Sequence, residues 1–314
     1  MNIKKVGIIG VGQVGASIAF ALMEKGTFNE IVLIDNNKEK AIGEAMDLSH
    51  GILYAKSQAN IVAGEYKDLK DAALIIITAG AAQKEGETRL DLVKKNTNIM
   101  RSIINELKAV NIEGILLIVA NPVDILTHVA YKLSGLPKER VIGSGTVLDT
   151  ARLKYTLSKH LEVDSRNIHA VMIGEHGDSE LPVWSGANIS GVPLNDFCEL
   201  RGHHDHDESM ERIYKDVRNA AYEIIKRKGS TYYGIAMAVS KIAECIVNNE
   251  HSMLPISVEL DGTYGLYDIA LSIPTVVGST GAELILELPL SEKEVSLLKK
   301  SAETLHEVIK ELDL

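Results

Sequence analysis

The apolar run Val6–Ile9 leads straight into Gly10-Val11-Gly12-Gln13-Val14-Gly15, and a helical segment follows as far as Gly26. Each glycine has a distinct physical use. Gly10 permits a tight turn, Gly12 lets the backbone approach a pyrophosphate, and Gly15 lets the helix close on the strand. The uncovered N–H groups at the helix start then face an anion. Taken alone the spacing is weak, because glycine-rich turns also join ordinary strand–helix units. Asp35 strengthens it by closing the next apolar run, Ile31–Ile34, 20 residues after Gly15. An acid there accepts the ribose hydroxyl and repels a 2′-phosphate, so the pattern predicts an NAD site rather than an NADP site.

The rest of the first 145 residues has the same texture. Leu74–Ile77 and Ile115–Val119 are further β-branched runs, continuous as strands buried on both faces should be. Between them Val93, Met100, Ile104 and Leu107 recur at helical spacing over about 89–110. Strand and helix in alternation predict a Rossmann doubly wound parallel sheet over 1–145. Beyond it the pattern becomes α+β, predicting a substrate-binding catalytic domain over 146–314. Helices are expected at 149–160, 210–228 and 231–248, with a last one near the C-terminus. Strands are expected at 168–173, 253–260, 266–277 and 282–288.

Composition excludes several function classes. Lys and Arg total 33 against 43 Asp and Glu, a formal charge of −10. Nucleic acid and anionic membranes both call for a net basic face, so neither is an expected partner. No apolar run reaches the ~18–20 residues of a membrane helix. The N-terminus runs into a strand without a signal-like segment, and Cys198 and Cys245 have no disulfide or metal spacing. A cytoplasmic location is the expectation. His203, His204 and His206 match no metal pattern and read as the solvated entrance of a helix, so no metal is expected.

Three segments carry chemistry. Gly174-Glu175-His176-Gly177-Asp178 places a histidine between glycines past a strand, where an imidazole can exchange a proton with an alcohol. A lone loop histidine would read as surface, but Asp149 and Arg152 lie three apart on one helix face. A carboxylate beside His176 would fix its tautomer, and an arginine fork clamps a carboxylate. The same pair could equally be a surface ion pair. Ala79 to Arg89 leaves the C-terminal end of a strand, where α/β folds bind ligands, and reads either as a lid carrying Arg89 or as a solvated loop. Asn121-Pro122-Val123-Asp124 sits on the same edge.

Together the strings GAAQKEGETRLDL, ANPVDILT, GSGTVLDTARL, IGEHGDSELPVWS and KGSTYYGIA resemble the lactate/malate dehydrogenase family along essentially the whole chain, most closely its bacterial L-lactate members. The resemblance implies an NAD-dependent interconversion of pyruvate and L-lactate in fermentative glycolysis. It makes His176 the acid/base, Asp149 its partner, Arg152 the carboxylate clamp and Arg89 the group that polarises the carbonyl. Asn121, Asp124 and Thr231 would line the substrate pocket. Gln83 stands where malate enzymes of the family place an arginine, which implies a substrate with one carboxylate. Besides Gly10, Gly12, Gly15 and Asp35, the implied cofactor contacts are Gln13, Val14, Lys40, Tyr66, Gly80, Ala81, Ser102, Val119, Asn121 and Ser144. Lys154 and His169 correspond to the family's fructose 1,6-bisphosphate site, although an arginine is usual at 154. A homotetramer or dimer is implied by analogy. The alternatives are a malate or other 2-hydroxy acid dehydrogenase of the same fold, and a non-catalytic NAD sensor.

Overall fold

A computed structural model of the chain describes residues 1–81, 86 and 88–312. Val-, Ile- and Leu-rich segments form β1 (Asn2–Ile9), β2 (Glu30–Ile34), β3 (Asn60–Ala63), β4 (Ala72–Ile77), β5 (Ile115–Ile118) and β6 (Val141–Gly143). These six lie parallel in the order β3-β2-β1-β4-β5-β6. The order reverses direction at β1, which opens a crevice beyond the strand ends. All six residues of β4 are buried, as both-face coverage requires. The chain returns through α1 (Gln13–Lys25), α2 (Lys38–Gly51), α3 (Arg89–Ala109) and α4 (Val123–Ser134). α3 starts sharply because Thr88 and Asp91 form a reciprocal capping box.

The second half begins with α5 (Val147–Leu161) and five two-residue strands. These are β7 (Ile168–His169), β8 (Met172–Ile173), β9 (Leu181–Pro182), β10 (Asn188–Ile189) and β11 (Val192–Pro193). Then come α6 (Leu194–Leu200), α7 (His206–Lys228), α8 (Tyr233–Asn248), β12 (Ser252–Asp261), β13 (Tyr267–Gly278), β14 (Gly281–Ile285) and α9 (Glu292–Ile309). β12 pairs antiparallel with β6, and β13 and β14 follow, so a single nine-stranded sheet crosses from one half into the other.

Two expectations change here. The strand read over 168–173 is split, because β7 pairs with β10 while β8 pairs with β9. The helix read from Thr231 starts at Tyr233, which leaves Thr231 in the α7–α8 turn after Gly229. The main core spans the sheet and reaches α9. A smaller one joins Leu153, Leu157 and Leu161 of α5 to Met210, Ile213 and Val217 of α7. Burying that second stripe fixes the outer face of the helix that carries Asp149 and Arg152. At roughly 1.5–3 kcal/mol per buried side chain, it holds α5 firmly.

Candidate active site

At the C-terminal edge of the parallel strands, each glycine has the environment its position calls for. Gly10 has φ +94°, and a Cβ there would lie 2.6 Å from the Ala79 nitrogen. At Gly15 a Cβ would come within 2.0 Å of the Gly10 carbonyl oxygen, so only glycine allows this approach of helix to turn. A Cβ on Gly12 would meet nothing within 4 Å. It would project into open space at the start of α1, whose first turn holds no acidic residue. That space suits a pyrophosphate facing free N–H groups.

Asp35 follows β2 and is already oriented. Its carboxylate accepts the Val11 N–H at 2.8 Å and the Asn37 N–H at 2.9 Å, leaving further lone pairs for ribose hydroxyls. The dinucleotide therefore fits the residues present. Gly80, Ala81, Val119, Asn121 and Ser144 all follow strands on this edge, past β4, β5 and β6. Tyr66 is half-buried after β3, Lys40 is exposed on α2, and Ser102 is exposed within α3. Gln13 accepts a hydrogen bond from Ser230, which ties the glycine turn to the α7–α8 turn carrying Thr231.

Asn96 escaped the sequence reading. It is buried on α3, where its Oδ1 accepts the Ala81 N–H at 2.7 Å and its Nδ2 donates to the Asn121 carbonyl at 2.8 Å. The loops after β4 and β5 are thereby clamped together, with Asn121 exposed at the rim. Gln83 and its neighbours 82, 84, 85 and 87, which make up most of the expected lid, lie outside the described residues. Arg89 opens α3.

The second cluster is assembled from five elements. β8 is followed by Gly174, whose φ of +91° turns the chain and whose backbone exchanges two hydrogen bonds with Ser272 of β13. The Ser301 hydroxyl of α9 accepts the Glu175 N–H, and Asp124 of α4 accepts the His176 N–H at 2.7 Å. Thr146 and Thr150, at the start of α5, bond the two backbone faces of Met172. α5 and the histidine loop are thus locked together. His176 Nδ1 lies 2.6 Å from Asp149 Oδ2, and Arg152 donates to Asp149 Oδ1 at 2.7 Å. One aspartate joins the imidazole to the guanidinium. The His176 side chain keeps 25% of its surface exposed, against 3% for Asp149.

Asp124, grouped above with the substrate-lining residues, is buried beneath this loop. Its Oδ1 accepts from Ser257 at 2.6 Å while Oδ2 holds the His176 backbone. Its carboxylate braces the histidine from below. His203 stacks on His160 with ring centroids 4.2 Å apart, and His206 approaches Glu199 at 3.3 Å.

Electrostatics give the cluster its acid–base character. Burial pushes the His176 imidazolium toward losing its proton, but the charge and hydrogen bond of Asp149 outweigh it and raise the pKa to about 9. Burial likewise opposes the Asp149 charge, yet His176 and Arg152 hold that carboxyl below its usual range. Burial lifts Asp124 to about 6, with Ser257 and the His176 N–H opposing the rise. A further carboxyl, Glu180, is buried beside the pair and lifted to about 8 by burial and by repulsion from Asp149. Nothing in the linear sequence distinguishes Glu180 from an ordinary loop acid.

A dinucleotide turn on a doubly wound sheet, joined to a protonated histidine, its carboxylate and an arginine, defines a nicotinamide-dependent dehydrogenase for an alcohol that carries a carboxylate. The chain belongs to the lactate/malate dehydrogenase family. Residues 4–143 match the model of its NAD binding domain, and residues 146–313 match its alpha/beta C-terminal domain. The chain is 54% identical over 312 residues to the L-lactate dehydrogenase of Acetivibrio thermocellus, covering 99% of this chain and 98% of that protein. It is also 54% identical over 310 residues to that of Thermoanaerobacterium saccharolyticum, covering 99% of both. The minor L-lactate dehydrogenase of Enterococcus mundtii in its ligands-bound form superposes with a TM-score of 0.96 at 43% identity, covering 99% of each chain.

Proposed function

We infer that this chain is an NAD-dependent L-lactate dehydrogenase that interconverts pyruvate and L-lactate. The observation carrying the reading is the Arg152–Asp149–His176 chain of hydrogen bonds at the edge of an NAD fold. Residues 1–145 hold the cofactor through Gly10, Gly12, Gly15 and Asp35, and residues 146–314 supply the acid–base group. When bound, the nicotinamide supplies the hydride that reduces the keto carbon. Arg152 takes the substrate carboxylate through its remaining N–H groups, orienting the carbonyl. His176, charged at neutral pH, donates its proton from the ring nitrogen not held by Asp149 as negative charge grows on the carbonyl oxygen. Arg89, at the start of α3, stabilises that oxygen. In the reverse direction neutral His176 accepts the alcohol proton.

Gln83 decides between one carboxylate and two. A neutral amide leaves a second buried carboxylate uncompensated, which is costly. NADH oxidation with pyruvate and with oxaloacetate tests both the activity and this choice. Pyruvate is expected to have the higher kcat/KM, and Gln83→Arg to move the ratio toward oxaloacetate by at least tenfold, about 1.4 kcal/mol. An unmoved ratio would remove Gln83 from the pocket, and no pyruvate turnover would remove the reading itself.

Two finer points complete the proposal. The enzyme works in the cytoplasm as a homotetramer or dimer, and sedimentation of the intact protein reads the assembly. Lys154 on α5 and exposed His169 on β7 occupy adjoining elements. They form a weak fructose 1,6-bisphosphate site, because burial pulls the Lys154 ammonium toward neutrality and lysine lacks a bidentate fork. Turnover at low pyruvate is expected to rise only slightly with the bisphosphate. Superposable curves would remove the effector.

A further inference from the structure

Glu180 lies one residue before β9, with 3% of its surface exposed. One of its carboxylate oxygens, one Asp149 oxygen and one His176 ring nitrogen all lie within 4.8 Å of one another. Three ionisable side chains at that separation cannot titrate independently. Asp149 spends its oxygens on His176 and Arg152. The Glu180 backbone carbonyl accepts the Tyr214 hydroxyl at 2.8 Å, so α7 fixes the main chain and thereby the side chain.

Glu180 also belongs to the wall of a second space. A cavity of about 560 Å³ adjoins the histidine loop, walled by Glu180, Trp184, Glu211, Tyr214, Leu297 and Lys300 among others. Among the described residues, its walls include none of His176, Asp149, Arg152, Asn121 or Thr231. The buried acid beside the catalytic pair therefore borders a compartment distinct from the substrate side. Polar and charged groups line that compartment, so it can hold water.

We propose that Glu180 is a positioning residue of the acid–base pair, an ionisable carboxyl beside His176 and Asp149 that holds the His176 proton by charge. The inference rests on His176 being the acid/base. With Glu180 neutral, Asp149 retains the proton with help from Asp124. Once Glu180 loses its proton, a second negative charge lies beside the imidazolium and delays its deprotonation. The loss of His176 acidity is then carried by a coupled pair, displaced to higher pH than Asp149 alone would give. Other charged groups act on Glu180 as well. Arg152 of α5 and Arg218 of α7 favour its ionised form, and Asp149 opposes it. Asp124 of α4 faces His176 from below and adds to the retention of its proton.

The test is the pH profile of pyruvate reduction by the intact enzyme, read as the ratio of turnover at pH 9 to that at pH 6.5. In Glu180→Gln the charge cannot form, and the ratio is expected to fall about fivefold, as a limb moved down by about one pH unit from near 9 gives. Glu180→Asp keeps a carboxyl and is expected to restore much of the ratio, which a role in packing alone would not do. A Glu180→Gln profile that superposes on the wild type, with His176→Ala inactive, overturns this inference and leaves the reading of His176 standing. A ratio that falls equally in Glu180→Asp and Glu180→Gln also overturns it, because shape rather than charge would then be the cause. If His176→Ala retains turnover, the reading beneath both is lost.

Discussion

His176→Ala is expected to lower kcat for pyruvate reduction about 10²–10⁴-fold, the range by which a positioned acid helps a proton transfer. The substitution removes the group that the arginine–carboxylate chain holds ready to deliver a proton. It leaves the loop's anchors in place, because these act on the backbone. Asp124 still accepts the residue-176 N–H, Gly174 still bridges to Ser272, and Ser301 still receives the Glu175 N–H. NADH should therefore bind with little change in affinity, since its glycine turn and Asp35 sit at the ends of β1 and β2. Steady-state turnover together with an NADH fluorescence titration separates the two effects. Near-normal turnover would assign the acid to another residue. Loss of NADH binding in parallel would mean that the loop had collapsed.

The parts of the molecule legible in the sequence are those where one local rule acts alone. Val6–Ile9 and Leu74–Ile77 read as buried strands because both faces are covered, and no polar alternation blurs them. The glycine turn is legible because each of Gly10 and Gly15 sits where a Cβ would strike backbone. Asp149 and Arg152 fall on one helical face by spacing, and the ion pair forms as expected. Elements that depend on distant partners stay hidden. β3 and β6 have four and three residues, too few for any periodicity, and exist because β2 and β5 offer open edges. The run 168–173 looks like one strand, yet its two ends find partners in different small sheets.

The site divides along the same line. His176 with Asp149 was legible as a possibility, whereas the roles of Asn96, Asp124 and Glu180 come from tertiary burial. Asn96 clamps two loops that begin at the ends of different strands. Asp124 meets His176 across 52 residues of chain, and no motif encodes that contact. The charge of −10 has no part in catalysis. The site depends on a few cations set against carboxylates at hydrogen-bond distance.

Asp149→Asn tests the electrostatic core of the mechanism with nearly no change of shape. The asparagine can still accept from Arg152, but its amide must then present N–H groups to His176 Nδ1. That favours the neutral imidazole with its proton on the other nitrogen, a poor acid in place of imidazolium. It also removes the charge that holds the His176 pKa at about 9, while burial continues to push it down. A raised histidine keeps its proton fully below the ordinary pKa of about 6.5 and loses it as pH rises through the raised value. In the wild type the alkaline limb of pyruvate reduction is therefore expected near pH 9. In Asp149→Asn it should fall to about 6.5 or below, and kcat/KM at pH 7 should drop about 10²–10⁴-fold. Lactate oxidation must fall by the same factor at the same pH, because the enzyme cannot alter the overall equilibrium that fixes the ratio of the two kcat/KM values. Measuring both directions across about pH 5.5–10 makes the outcome decisive. A limb that stays near 9 would mean that the proton is held by other groups, Glu180 and Asp124 first among them. A loss of kcat confined to one direction at a fixed pH would point to a change in the rate-limiting step rather than in the proton transfer.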